Sequence, residues 1–132
     1  IFAEIERYRA LFKEEECFLI SQWPPKTKLK GWYVRMQSGG HLDAHIHELG
    51  WVSGTLYLSL PENVSHDEGK IELGLHGNNY PLMHENFPTK TLLIKTGDIV
   101  LFPSSTFHRT IPFSSDEERI CIAFDVIPRA NL

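Results

Sequence analysis

The sequence has few cysteines, no long apolar run and no excess of basic residues. Cys17 and Cys121 are its two cysteines, and they form no Cys-X-X-Cys motif. This favours a reducing, cytoplasmic environment over a disulfide scaffold. Every apolar run is shorter than ten residues, whereas a membrane-spanning helix needs about 20. The net charge of −4, with Lys and Arg scattered along the chain, argues against a nucleic-acid-binding surface.

The chain also shows no internal repeat and no low-complexity segment, and its first residues do not predict a secretory signal. Its length allows one domain with a substantial core, so we expect a single domain over residues 1–132. The first residue is Ile rather than Met, which leaves open a trimmed chain or a piece of a longer protein. Nothing in the pattern indicates an oligomeric state.

The order of the predicted elements is a leading helix followed by strands. Ile1, Ile5, Tyr8 and Phe12 recur at helical spacing and predict a flanking helix over residues 1–15. Residues 22–31 contain Pro24-Pro25 and predict a connection without regular structure. Short apolar segments then alternate with turn residues, and the predicted strands are 32–37, 41–47, 53–60, 70–75, 91–95, 98–102, 106–111 and 119–127. This pattern predicts a mainly β fold of the jelly-roll class with its core over about 32–128.

Two of the predicted strands have one apolar and one polar face. In the last strand the more polar face consists of Arg119, Cys121, Ala123 and Asp125. In the strand over 53–60 it consists of Ser53, Thr55, Tyr57 and Ser59. Such a face can meet solvent, as is usual for antiparallel sheets, or it can line an internal cavity that binds a polar ligand. The alternation by itself leaves both open.

The segment over 41–48 concentrates three of the seven histidines. A His-X-His pair in an extended segment, here His45 and His47, directs both imidazoles to one side. Two neutral nitrogen donors on one face are half of a transition-metal site. His108, which follows a Pro-Ser turn after an apolar strand, is the candidate for the other half, and Arg119 lies eleven residues further on.

At these residues the sequence resembles the Fe(II)/2-oxoglutarate-dependent dioxygenases, a superfamily built on a double-stranded β-helix (jelly roll). It is most similar to a prolyl-hydroxylase-like branch of 2OG-Fe(II) oxygenases. The resemblance runs from about Trp32 to Pro128. The matching segments are His45-Ile46-His47, Gly50-Trp51-Val52-Ser53-Gly54 with Tyr57, Leu101-Phe102-Pro103-Ser104 with His108, Glu118-Arg119-Ile120, and Ala123-Phe124-Asp125.

The resemblance implies that His45 and His108 are two ligands of Fe(II). His47 falls where most of the superfamily has a carboxylate. A third neutral ligand leaves the metal its full double charge, whereas the usual facial triad has two histidines and one carboxylate. Two alternatives for the third ligand remain open: residues 41–43 spell the usual His-X-Asp with Asp43, and Glu48 adjoins His47.

The resemblance further implies that Arg119 binds the distal carboxylate of 2-oxoglutarate, a role that suits a planar guanidinium. Ser53, Tyr57 and Ser104 are the candidate hydroxyl groups around the metal or the cosubstrate. Tyr33 and Arg35 are candidates for the pocket mouth. The implied activity is that of an oxidoreductase that hydroxylates a C–H bond of an unidentified small-molecule or peptidyl substrate, with release of succinate and CO2.

Two alternatives to this function stay open. Gly39 followed by His45 and His47, and Gly97 followed by His108, partly match the two motifs of cupins. A cupin-like metal protein without 2-oxoglutarate is therefore possible, although the glutamate ligand expected near residues 50–54 is missing. The second alternative is a non-catalytic interaction module.

Three further histidines, in the second half of the chain, lie in polar loops and are expected to be exposed. They are His66, His76 and His84.

Overall fold

The computed structural model describes residues 1–129. Its elements are α1 (Phe2–Leu11), α2 (Phe18–Ser21), β1 (Thr27–Met36), β2 (Leu42–His45), β3 (Val52–Ser59), β4 (Ile71–Gly74), β5 (Thr89–Thr91), β6 (Ile99–Pro103), β7 (Phe107–Thr110) and β8 (Arg119–Pro128). This confirms a mainly β fold with a leading helix. Neither helix of the described residues has the length and apolar character needed to cross a membrane.

The strands form two four-stranded sheets in which every pairing is antiparallel. The first sheet has the order β1-β8-β3-β6 and the second the order β2-β7-β4-β5. Along the chain, successive strands mostly alternate between the two sheets, which is the connectivity of a jelly roll. Each sheet therefore depends on pairings between segments that are far apart in sequence.

The apolar side chains form two clusters, one on each face of the first sheet. Ile5 of α1 packs against the outer face of this sheet, where it meets Val52, Phe124 and Val126. The second cluster lies between the sheets and contains Tyr57, Ile71, Phe102 and Cys121. Side chains alternate between the two faces of a strand. Since the apolar residues of β3 and β8 point outward, the polar faces of these strands point into the space between the sheets.

Three boundaries differ by about four residues or more from those predicted. The first helix ends at Leu11 rather than near residue 15, because residues 14–16 are three consecutive glutamates, which the negative end of a helix dipole disfavours. Strand β1 begins at Thr27, inside the predicted connection, because its first residues pair with the end of β8. Strand β5 ends at Thr91, where a strand over 91–95 was expected; the apolar residues beyond it still pack between the sheets.

Candidate metal centre and anion pocket

Three histidines meet at one end of the space between the sheets. His45, the last residue of β2, is the cross-strand partner of His108 in β7. His47 lies two residues beyond His45, and its backbone N–H donates to the Ser104 carbonyl at 3.0 Å. One ring nitrogen of each histidine lies within 4.8 Å of those of the other two. The His-X-His spacing and the β2–β7 register thus bring together the three predicted ligands.

Each of these rings uses its Nδ1 atom in a hydrogen bond, as metal-binding histidines usually do. The Nδ1 of His45 donates to the Asp43 carbonyl at 2.7 Å, and that of His108 to the Thr106 carbonyl at 3.1 Å. The Nδ1 of His47 donates to Asp125 Oδ1 at 2.6 Å. With the proton on Nδ1, each Nε2 has a free lone pair. The residues present therefore fit a transition metal such as Fe(II).

His108 is the most buried of the three rings, and this affects its protonation. Burial lowers its pKa to about 4, with a smaller lowering from His45 and His47, while the hydrogen bond to the Thr106 carbonyl opposes the shift. His108 is consequently neutral near pH 7, which is the form that donates a lone pair to a metal.

The two carboxylates considered as alternative third ligands lie outside this cluster of described residues. The Asp43 side chain is largely exposed and lies 3.9 Å from His41 Nε2. Glu48 accepts a hydrogen bond from the Tyr80 hydroxyl at 3.0 Å.

The histidines of the polar loops lie elsewhere. His66 and His84 are exposed, as predicted. The prediction is wrong for His76, which is half-buried because its ring stacks on Phe87 and Phe107.

Arg119 is buried, with 3% of its surface exposed. Its Nε donates to the Gly69 carbonyl at 2.7 Å, and its guanidinium lies 5.2 Å from the centre of the Tyr57 ring. No carboxylate within residues 1–129 forms an ion pair with it. Since a buried charge without a partner costs several kcal/mol, this guanidinium calls for an anion that the protein itself does not supply.

The hydroxyl of Tyr57 is a second unpaired group in the same place. Tyr57 is completely buried, and its OH is the one buried side-chain polar atom in the described part of the chain without a hydrogen-bond partner. Burial raises its pKa to about 12, although the Arg119 charge acts in the opposite direction. Tyr57 therefore remains an O–H donor. A buried donor left unsatisfied is rare in native proteins and again indicates a missing acceptor.

One cavity connects these groups with the histidines. It lies between the sheets and is lined by all three rings, by Arg119 and by Tyr57, together with Trp32, Ser53, Thr55, Cys121 and Ala123. The polar faces of β3 and β8 thus line a cavity and do not meet solvent. The small side chains of Cys121 and Ala123 leave room between the anion-accepting end and the metal-binding end.

Some side chains lie elsewhere than predicted. Tyr33 and Arg35 are on the outer face of β1, opposite Ile122 and Ile120, so they do not reach the pocket mouth. One position earlier, Trp32 faces inward, and its ring centre lies 5.5 Å from that of His47. A shift of one residue moves a strand side chain to the other face. Ser104 is buried behind the cavity wall and contacts Ser53 there.

Sequence reasoning assigned no role to Asp125, although the residue belonged to a matching segment. Its place on the same face of the last strand as Arg119 could have indicated that Asp125 belongs to the site. It is 7% exposed, and besides His47 its Oδ1 accepts a hydrogen bond from Ser53 Oγ at 2.7 Å.

Comparisons with solved structures show the same fold at low identity. A prolyl-4-hydroxylase from Pseudomonas putida aligns with 97% of this chain at 17% identity and a TM-score of 0.62. Iron-bound HygX from Streptomyces hygroscopicus aligns with 76% at 17% identity and a TM-score of 0.54, and its apo form with 96% at 16% and 0.57. The chain spans 63% of the prolyl-4-hydroxylase and 58% of iron-bound HygX. No curated protein matches significantly.

The family comparison covers most of the chain. A family model described as "Putative 2OG-Fe(II) oxygenase" matches residues 30–125, close to the range over which the sequence resembles that branch. Fe(II) and 2-oxoglutarate are the cofactors that this family name states. This chain therefore belongs to the 2OG-Fe(II) oxygenase family.

Proposed function

We propose that this chain is an Fe(II)- and 2-oxoglutarate-dependent dioxygenase that hydroxylates a C–H bond of a small-molecule or peptidyl substrate. One observation carries the proposal: three imidazoles with free Nε2 atoms share a cavity with a buried guanidinium that has no carboxylate partner. A metal and a dicarboxylate are the two ligands that such a cavity suits.

In this proposal the metal is held by His45, His47 and His108, whose Nδ1 hydrogen bonds fix the direction of each ring. When bound, the iron supplies the redox chemistry: dioxygen is consumed, 2-oxoglutarate becomes succinate and CO2, and one oxygen atom converts a substrate C–H into C–OH. The cavity wall, which is closed by the inter-sheet cluster around Phe102 and Ile71, limits the access of water.

The cosubstrate is anchored in this proposal by Arg119 and Tyr57. The guanidinium offers two parallel N–H groups to the distal carboxylate, and the Tyr57 hydroxyl donates to the same anion. In this proposal the carboxylate forms an ion pair with the buried Arg119 guanidinium and accepts a hydrogen bond from the Tyr57 hydroxyl. The cupin-like alternative leaves both without an explanation.

We place the substrate in an open groove that adjoins His47 on the side away from Arg119. The groove is lined by Trp32, Leu49 and Ile127, with Lys30 at its rim. Trp32 also lines the metal-binding cavity, so the groove leads to the metal site past this ring. Its lining is mostly apolar and also includes the carboxylates of Glu48 and Asp125, so the groove suits a partly apolar substrate.

The experiment that tests this function measures metal-dependent turnover of 2-oxoglutarate. Purified protein is loaded with Fe(II) under anaerobic conditions, mixed with 2-oxoglutarate and air, and assayed for succinate. We expect succinate from the wild type and none from His108→Ala. For Arg119→Ala we expect 2-oxoglutarate affinity to fall by about 2–5 kcal/mol, roughly 30-fold or more, as when a buried charge loses its partner.

Matched controls are available on the surface. His66→Ala removes an exposed histidine and Arg35→Ala an arginine of the outer sheet face, and neither should change turnover. Metal binding with unchanged 2-oxoglutarate affinity in Arg119→Ala would favour the cupin-like alternative. Absence of both metal and 2-oxoglutarate binding would leave the non-catalytic module.

We also propose a reducing compartment, such as the cytoplasm, as the place of action. Among the described residues both cysteines are free, Cys17 exposed and Cys121 buried. An exposed free thiol and a ferrous cofactor both persist better under reducing conditions. Mass spectrometry of the protein isolated from its native cells should find Cys17 as a thiol; a stable intermolecular disulfide at this position would contradict the assignment.

A further inference from the structure

Asp125 lies near the end of β8, on the cavity-facing side of the strand, six residues from Arg119. We propose that Asp125 is the positioning residue of the metal ligand His47. In a His-X-Asp site the carboxylate binds the metal directly. Here Asp125 places a carboxylate next to the imidazole of His47, one step away from the metal. This inference rests on the proposed function, since it concerns the same metal site.

The contacts of Asp125 give it this role. Its Oδ1 accepts hydrogen bonds from His47 Nδ1 at 2.6 Å and from Ser53 Oγ at 2.7 Å. Ser53 Oγ lies 2.8 Å from Ser104 Oγ, and the Ser104 carbonyl accepts the backbone N–H of His47 at 3.0 Å. The network therefore holds both the ring and the backbone of His47, and it directs Nε2 toward the other two histidines.

His47 differs from the other two ligands in the charge of its hydrogen-bond acceptor. His45 and His108 donate to backbone carbonyls, which are neutral. His47 donates to a carboxylate, and such charge-assisted bonds are shorter and stronger. A carboxylate on the far side of a ligating imidazole also makes its metal-bound nitrogen more basic. This effect occurs at the one ligand position where the superfamily usually has a carboxylate.

Burial of the Asp125 carboxylate costs free energy unless a positive charge lies close to it. No Lys or Arg within residues 1–129 forms an ion pair with it, including Lys30, its register neighbour in β1. Arg119 is separated from it by six residues of extended strand, roughly 20 Å. Within residues 1–129, the same face of β8 thus carries a buried guanidinium without a carboxylate partner and a buried carboxylate without a Lys or Arg partner. Across the His47 ring, a metal ion supplies the charge that Asp125 lacks.

Titration with Co(II) alone tests this role without any need for turnover. We expect Asp125→Asn to weaken Co(II) binding by about 10–100-fold, the usual effect of removing such a partner, and to shift the visible absorption bands of the bound ion. The control Asp116→Asn removes one exposed carboxylate and should bind Co(II) like the wild type. Equal affinities and spectra for Asp125→Asn and the wild type would overturn the inference while leaving the proposed function intact.

The same substitution in a second background separates positioning from a general effect of charge or folding. In His47→Asp a carboxylate can ligate the metal directly, and the imidazole that Asp125 orients is absent. We therefore expect Asp125→Asn to cause no loss of Co(II) affinity in this background. A similar loss in both backgrounds would refute a role that acts through His47.

Ser53→Ala provides a milder variant if Asp125→Asn proves poorly folded. It removes one of the two hydrogen bonds to Oδ1 and keeps the carboxylate, so a smaller loss of Co(II) affinity is expected, with thermal unfolding of the metal-free protein as the folding control. An unchanged affinity in folded Ser53→Ala and Asp125→Asn would exclude the network. Failure of the wild type itself to bind Co(II) would overturn the proposed function and this inference together.

Discussion

The hydroxyl of Tyr57 and the guanidinium of Arg119 carry a free-energy cost in the ligand-free protein that a bound anion would offset. Each is buried and lacks the partner that its polar group requires. An unsatisfied buried donor costs about 1–3 kcal/mol, and an unpaired buried charge costs more. Such groups persist where binding compensates the cost, which is typical of functional sites.

Tyr57→Phe should therefore have effects of opposite sign on stability and on binding. It removes an unsatisfied hydroxyl, so the free energy of unfolding of the ligand-free protein should stay equal or rise. It also removes the proposed donor to the cosubstrate, so 2-oxoglutarate affinity should fall by about 0.5–1.5 kcal/mol. Chemical denaturation and calorimetric titration measure the two quantities. Tyr33→Phe, on the outer face of β1, is the control, and unchanged 2-oxoglutarate affinity in Tyr57→Phe would contradict the assignment.

At the scale of the element, β3 is the strand that supplies the site while packing against the outer cluster. Its inward residues Ser53, Thr55 and Tyr57 line the cavity, and Val52 packs beneath α1. Between them, Gly54 lies under the ring of Phe124. A Cβ atom at this position would stand 2.7 Å from Phe124 Cε2 and 2.8 Å from Leu101 Cδ2. The close approach of β3 to these side chains requires glycine.

Gly54→Ala should lower the free energy of unfolding by about 1–3 kcal/mol, as overpacking of a core usually does, and should weaken metal binding because the neighbouring Ser53 moves with the strand. Gly74→Ala in β4 is the matched control: its added Cβ would meet its nearest neighbour, Thr89 Cγ2, at 3.4 Å, an ordinary contact. Urea unfolding of both variants measures the difference. Equal stabilities would show that β3 accommodates the methyl group without cost.

At the scale of the whole molecule, the proposed ligands join the two sheets. His45 and His108 belong to the second sheet, whereas Tyr57, Arg119 and Asp125 belong to the first. In the proposed function, the metal and the cosubstrate contact residues of both sheets. Ligand binding should therefore stabilise the packing of the two sheets as well as the site itself.

Addition of Mn(II) and 2-oxoglutarate should raise the melting temperature of the wild type. At ligand concentrations about 100 times Kd the stabilisation is about 2.7 kcal/mol, which corresponds to roughly 5–20 °C for a domain of this size. Differential scanning calorimetry measures the shift. His108→Ala should show no metal-dependent shift, and a shift as large as that of the wild type would show that the metal binds elsewhere.

Local residue patterns determined several features of this protein. The alternation of apolar and polar residues predicted the eight strands, with boundaries close to those observed except at β1 and β5. The His-X-His spacing predicted two rings on one side, and period-two alternation predicted that Arg119 shares one face of β8 with Cys121, Ala123 and Asp125. These features could be predicted because successive side chains in a strand point to opposite faces, whatever the rest of the chain does.

Only the tertiary structure decided which partners these side chains meet. The alternation could not tell solvent from cavity for the polar faces of β3 and β8. The contact between His47 and Asp125 spans 78 residues. It forms because the backbone N–H of His47 binds the Ser104 carbonyl just beyond β6, and β6 and β8 both pair with β3. Likewise, the tertiary structure buries the Tyr57 hydroxyl beside Arg119 without a hydrogen-bond partner. Such pairings depend on long-range register and burial, which local spacing does not encode.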